Sequence, residues 1–377
     1  MIPFNKPYFT GKETTYIQQA VKSGKISGDG MFTKKCHDYF ESRYGIKKAL
    51  LTTSCTDALE MAAILINICP GDEVIIPSFT FVSTANAFVL RGANIVFADS
   101  NPLNPNINCD RIESLITERT KAIIPVHYAG IACDMDAIMA LAAKYKLWVI
   151  EDAAQAIESF YKGRRLGTIG HLAAFSFHET KNITSGEGGM LAINDEQFIE
   201  RAEIIWEKGT NRAKFFRGEV DKYTWVDIGS SYLPSDIIAA VLFAQIENMN
   251  VIQNQRLYIW NRYYTNLQRL LTSGNIQLPH INDFAHNNGQ LFCIICESNT
   301  QRKNLIQFLI DNGVQAVFHY TSLHASSYFF KRGEKSDLPN SDRYADCILR
   351  LPMFFELSDK EIDSISDLIL QYFAQGR

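Results

Sequence analysis

No apolar run in this sequence approaches the ~20 residues that a membrane-spanning helix needs; the longest, such as "MAAILINIC", fall well short. Blocks of like charge are absent too. The 37 Lys and Arg stand against 41 Asp and Glu, a formal net charge of -4. That balance argues against nucleic acid as a partner, while leaving room for a local cluster that grips a phosphate. The opening "MIPFNKPYFTGKE" lacks the basic start and apolar stretch of a secretory signal. Paired cysteines are scarce: of eight, only Cys293 and Cys296 form a CxxC, and no second pair completes a zinc site. Inside "LFCIICES" these two read as buried thiols of a strand. No metal is expected, and a reduced, cytoplasmic setting fits best. Repeats and low-complexity tracts are also missing.

What is present is alternation. Short apolar runs ("DEVIIPS", "ANIVFAD", "KAIIPVH", "KLWVIED", "LAAFSFH", "GMLAIN") read as strands buried on both faces. Helical patterns such as "CTDALEMAAILIN", "CDRIESLITERT" and "MDAIMALAAKYK" lie between them. This predicts an α/β fold with a large, mainly parallel sheet and crossover helices. A helical stretch from Ser235, its expected N-cap, to about Leu267 follows. Then "NNGQLFCIICE", "RKNLIQFLIDNG" and "VQAVFHY" suggest a smaller α+β unit. The expected domains are 1–245 and 246–377, with the N-terminal segment able to pack on the second.

Four features carry chemistry. Thr56, in "TTSCTDALEM", is the expected cap of a helix whose N-terminus suits a phosphate. Glu151 and Asp152 end the strand "LWVIED", at the edge where open α/β sheets bind ligands. Lys181 follows the apolar "FSF" and precedes the turn Gly186, Gly188 and Gly189; a lysine so placed costs desolvation unless it is used. Phe79 and Phe81 follow Pro77, the end of another strand, and either can cover a planar ring. A phosphate cup, a strand-end acid, a flat aromatic and a lysine are together the parts that hold pyridoxal phosphate.

The sequence resembles the sugar aminotransferases of the DegT/DnrJ/EryC1/StrS family, of fold type I among pyridoxal phosphate enzymes. The resemblance runs from "IPF" and "SGKISGDG" through "PGDEVIIPSFTFVSTANA", "PVHYAG", "EDAAQA" and "FSFHETKN" to "LPMF". It implies that Lys181 bonds to the cofactor aldehyde and that Asp152 faces the pyridine nitrogen. Gln155 would lie near the ring hydroxyl. Thr56, Asp57 (through its backbone N–H) and Ser176 would hold the phosphate, and Phe81 would stack on the ring. It further implies a homodimer, L-glutamate as donor and a nucleotide-linked sugar as acceptor. One position departs from the pattern: the loop Gly229-Ser230-Ser231 carries Ser231 where many relatives have the asparagine that reaches the neighbouring subunit's phosphate. The stretches "FSFHETKN" and "EKGTNRAKFFRGEVDKYTWVDIGSSYL" resemble the branch that aminates C4 of dTDP-4-keto-6-deoxyglucose in enterobacterial common antigen synthesis. In the second, Arg212, Lys214 and Arg217 form a cationic cluster suited to a diphosphate.

Overall fold

The computed structural model describes residues 1–273, 276–330 and 337–375. Its strands are β1 (Lys48–Thr52), β2 (Glu73–Pro77), β3 (Asn94–Ala98), β4 (Thr120–Ile123), β5 (Trp148–Asp152), β6 (Phe160–Tyr161), β7 (Arg164–Arg165), β8 (Leu172–Ser176), β9 (Gly189–Ile193), β10 (Ile276–Gln277), β11 (Ala285–His286), β12 (Phe292–Cys296), β13 (Val317–Phe318) and β14 (Ile348–Leu351). Seven form one sheet in the order β1-β9-β8-β5-β4-β2-β3, and β10-β12-β14-β13 form a second. A small ribbon, β11-β6-β7, makes a third.

The large sheet is the α/β frame that the alternating pattern predicts. Its apolar runs are covered on both faces, as in β2 and β9, every residue of which is buried. Two buried clusters sandwich it, one including Leu51, Ile75, Val149 and Phe175, the other Leu50, Ile76, Ile150 and Ala174. A third cluster, built on Tyr263, Phe292, Leu305, Leu349 and Ile365, lies under the second sheet.

Several elements differ from expectation. β1 was not anticipated, because "KALLT" is short and opens on a lysine. β9 runs antiparallel to both β8 and β1. The chain between β8 and β9 holds turns rather than a crossover helix, so it returns in the opposite sense. The "CDRIESLITERT" pattern yields only the short helix Cys109–Ile112 and one tighter turn. The helical stretch from Ser235 is two helices, Asp236–Glu247 and Met249–Leu267, meeting at Asn248; Ser235 caps the first as expected, accepting the Ile238 N–H at 3.4 Å. Cys293 and Cys296 are buried free thiols on β12.

Parallel strands β5, β4, β2 and β8 end together at one edge of the sheet. Asp152 and Ser176 are the last residues of β5 and β8. The helix Cys55–Leu65 starts just beyond the end of β1. That edge meets the second sheet through residues just before β12, after β13, and in and after β14, and the cleft between them is the site.

Candidate active site

The cleft has a volume of about 580 Å³. Thr56, Phe81, Asp152, Gln155, Ser176 and Lys181 all line it. Asp57 does not reach the lining. Its backbone N–H is taken by Ser54 Oγ at 3.1 Å, and its carboxylate takes the Thr53 hydroxyl. The expected cap, Thr56, is corrected on the same ground: the helix begins at Cys55, so Ser54 is the residue whose hydroxyl caps it. Thr56 is thereby freed, and its hydroxyl donates to Ser83 Oγ at 2.8 Å. Among the described residues, the backbone N–H groups of Cys55 and Thr56 donate to nothing. Unpaired first-turn N–H groups beside hydroxyls attract an anion.

Gly189 makes this arrangement possible. A Cβ there would sit 2.3 Å from the backbone carbon of Ser54. We expect Gly189→Ala to force β9 away from the helix start, costing about 1–3 kcal/mol as overpacking does. Cofactor affinity should fall with it. Urea unfolding and a cofactor titration check both, and an unchanged titration would detach Gly189 from the cup.

Asp152 is buried at the sheet edge. Oδ2 accepts the Thr84 hydroxyl at 2.7 Å and Oδ1 the Ala154 N–H at 3.1 Å. Burial raises its pKa against the pull of those two donors and of the Lys181 charge. Its neighbour Glu151 does different work. Fully buried, it accepts from His127 Nε2 at 2.9 Å and from the N–H groups of Gly167, Ile169 and Gly170. It ties the loop before β8 to β5 and does not line the cleft.

Lys181 lies five residues past β8, in a turn whose N–H bonds to the His178 carbonyl. No carboxylate among the described residues forms an ion pair with it. Burial lowers the pKa of its ammonium, with Cys55 and Asp152 acting the other way. Gln155 Oε1 accepts the Ala129 N–H at 2.7 Å, and Nε2 donates to the Tyr320 hydroxyl at 3.2 Å. The two phenylalanines separate cleanly. Phe79 is 1% exposed and packs on Tyr128, whereas Phe81 is 56% exposed and lines the cleft.

Arg212, Lys214 and Arg217 are not brought to this cleft. They sit beside the helix Ile199–Trp206, paired with Glu207, Glu200 and Glu203 respectively, and Arg217 also with Glu219. Ser231 is exposed and bridges to Glu207 through the backbone.

Among the lining residues that sequence reasoning missed are Gln290, His319, Tyr320 and Arg350. Arg350 is the most telling. It has no carboxylate partner among the described residues, its guanidinium lies 4.6 Å from the centre of the Phe4 ring, and its Nε is buried without a partner. An arginine inside the apolar "CILRLPMF" is the same signal that singled out Lys181.

These residues fit pyridoxal phosphate. A helix start with unpaired N–H groups and a glycine-cleared approach suits a phosphate. A buried carboxylate served only by neutral donors suits a pyridinium N–H. An unpaired, desolvated amine suits an aldehyde. The chain is also similar to known proteins along its whole length. It is 32% identical to the spore coat polysaccharide biosynthesis protein SpsC of Bacillus subtilis, over 98% of this chain and 96% of that one. A putative sugar aminotransferase of Streptococcus pneumoniae, Spr1654, solved in its PMP form, superposes with a TM-score of 0.92 at 27% identity over 100% of both chains. An aminotransferase of Psychrobacter cryohalolentis gives 0.93 at 28%, over 99% of each. Residues 7–370 match the DegT/DnrJ/EryC1/StrS aminotransferase family; the chain therefore belongs to that family, and it is an aminotransferase whose cofactor is pyridoxal 5'-phosphate.

Proposed function

We propose that this aminotransferase moves the amino group of L-glutamate to C4 of dTDP-4-keto-6-deoxy-D-glucose. The products are dTDP-4-amino-4,6-dideoxy-D-galactose and 2-oxoglutarate. The observation that carries the reading is the meeting of Lys181 and Asp152 in one cleft beside the open helix start. In the net reaction the donor's α-amino group and the sugar's carbonyl oxygen change places.

When bound, the cofactor supplies an aldehyde that exchanges with amines and a ring that accepts the electron pair left by a departing proton. The protein supplies the rest. Lys181 Nζ would hold the aldehyde and, when free, would serve as the base and acid that takes a proton from the donor's Cα and supplies one to the sugar's C4. Asp152 holds the ring N–H. Thr56, Ser176 and the N–H groups at the start of the Cys55 helix would anchor the phosphate, Gln155 would serve the ring hydroxyl, and Phe81 would cover the ring. Asp57 contributes by fixing the helix start, since its own N–H is engaged. Arg350, a half-buried cation without a counterion among the described residues, suits a donor carboxylate.

The enzyme acts as a homodimer in this reading. The exposed Phe216, Tyr223, Trp225, Val226 and Ile228 support it, since they flank the Gly229-Ser230-Ser231 loop and invite cover by a second copy. Arg212 and Arg217, outside the cleft of their own chain, then meet a nucleotide diphosphate only in the neighbouring subunit's site.

Incubation with glutamate and the keto sugar should give an axial amine at C4, read by NMR of the purified product, with stoichiometric 2-oxoglutarate. An equatorial C4 amine, or amination only of a 3-keto sugar, would assign the protein to another branch of the family.

A further inference from the structure

Gln290 immediately precedes the strand residues "LFCIIC", and its side chain lines the cleft although it is only 7% exposed. Every part of it but one is engaged. The backbone N–H donates to Asn288 Oδ1 at 2.9 Å, and the backbone carbonyl accepts from Arg256 Nη2 at 2.7 Å. Asn288 and Arg256 are themselves buried, and Asn288 Nδ2 holds the carbonyls of Gln155 and Ile157, both at 2.8 Å. Gln290 Nε2 donates to the Thr180 carbonyl at 3.0 Å. That contact fixes the amide, because the reverse orientation would set two carbonyl oxygens against each other. What remains is Oε1, a buried acceptor with no donor among the described residues. Leaving such a group unpaired is costly, so a partner that arrives with a ligand is the natural account.

The chemistry of the ligands selects that partner. The cofactor's ring N–H would go to Asp152 and its ring hydroxyl would be met by Gln155. Glutamate brings only one donor, the reacting ammonium, and its carboxylates are acceptors that an amide oxygen repels. A sugar is the one ligand of this reaction with hydroxyl donors to spare. Thr180, which holds the amide, is adjacent to Lys181, so the hydroxyl read there lies close to the reacting carbon.

We infer that Gln290 Oε1 accepts a hydrogen bond from the sugar hydroxyl next to the keto carbon, the C3 hydroxyl of a 4-keto sugar. Gln290 is then a specificity residue for the second half of the reaction only. The inference rests on the acceptor being a keto sugar, and the two can fail separately.

The test separates the half reactions under single-turnover conditions. With Gln290→Leu, the kcat/KM of amine delivery to dTDP-4-keto-6-deoxyglucose should drop about 10- to 100-fold, since a site built around a hydroxyl is left with a mismatch. The glutamate half reaction and the absorption spectrum of the bound cofactor should stay within two-fold of wild type. Wild-type enzyme should lose a similar factor with the 3-deoxy counterpart of the sugar, and Gln290→Leu should lose nothing more on that substrate. The 2-deoxy counterpart should remain fully sensitive to the substitution. Calorimetric binding of the same sugars to the cofactor-free protein should follow the same order. Equal losses in both half reactions would show Gln290 serving Lys181 or its turn instead. No loss in either, or equal sensitivity with the 3-deoxy sugar, would also overturn the inference. A wild-type enzyme that aminates no keto sugar would remove the proposed function, and this inference with it.

Discussion

Lys181→Ala should abolish transamination. The loss includes both the covalent attachment and the general base, the latter alone worth about 10²- to 10⁴-fold. The near-visible absorption of the lysine-bound cofactor should vanish as well, while the helix-start cup still retains some phosphate affinity. The cofactor-free variant offers a second, independent reading. Burial depresses the pKa of the Lys181 ammonium in the folded protein. The unfolded chain therefore binds more protons as pH approaches the ordinary lysine range, and the stability of wild-type apoprotein should rise through that window. Alanine removes the group, so the variant should lack that increment. Denaturant midpoints at a series of alkaline pH values measure it. Borohydride reduction followed by peptide mapping is the direct check: a pyridoxyl adduct on any other lysine would overturn the assignment.

Asp152→Asn should lower kcat by about three powers of ten, the scale of a lost electrostatic contact in a water-poor site. The structure explains why an amide cannot substitute. Burial pushes the Asp152 carboxyl upward, and Thr84 and Ala154 offset this with neutral donors. In the proposed role a pyridinium N–H opposite it would keep it ionised, and the carboxylate would in turn keep that ring protonated. Asparagine keeps the shape but loses the charge, and its one amide oxygen can accept from only one of the two donors, Thr84 and Ala154. Cofactor affinity should fall far less than kcat, because the Cys55 helix and Ser176 are untouched. Parallel measurement of kcat and cofactor Kd separates the two effects, and a near-wild-type kcat would remove Asp152 from the chemistry.

The sequence exposed those features whose cause is local. Six of the seven strands of the large sheet are apolar runs that only a doubly covered strand explains. Lys181 and Asp152 stand out because a charge at the end of such a run is expensive. Where two local answers compete, the reading failed: Ser54 and Thr56 are both good caps, and only the folded backbone, with Ser54 Oγ accepting the Asp57 N–H, shows where the helix starts. The sense of β9 was missed because strand periodicity carries no direction, although the helix-free loop around Lys181 was the clue. Gln290 and Arg350 belong to β12 and β14 or their approaches, and their value comes from long-range folding against the large sheet's edge. The cluster Arg212, Lys214 and Arg217 looked like a free anion site because "IERAEIIWEKG" was not set beside it; its glutamates, two on the helix Ile199–Trp206 and Glu207 at its C-terminal cap, pair with the cluster within the chain.

The place of β9 also bears on how the protein is made. Among the described residues β1 has β9 as its sole neighbour in the large sheet, and β9 follows all the other strands of that sheet in the chain. On a ribosome adding ~5–20 residues per second, β1 and the Cys55 helix therefore wait on the order of ten seconds for the strand that completes them. During that interval β1 presents two open edges, a template for pairing with other nascent chains. A message truncated before the codon for Gly189 should consequently yield an aggregating product that added vitamin B6 does not rescue, because the half-built cup has no second wall to close on the phosphate.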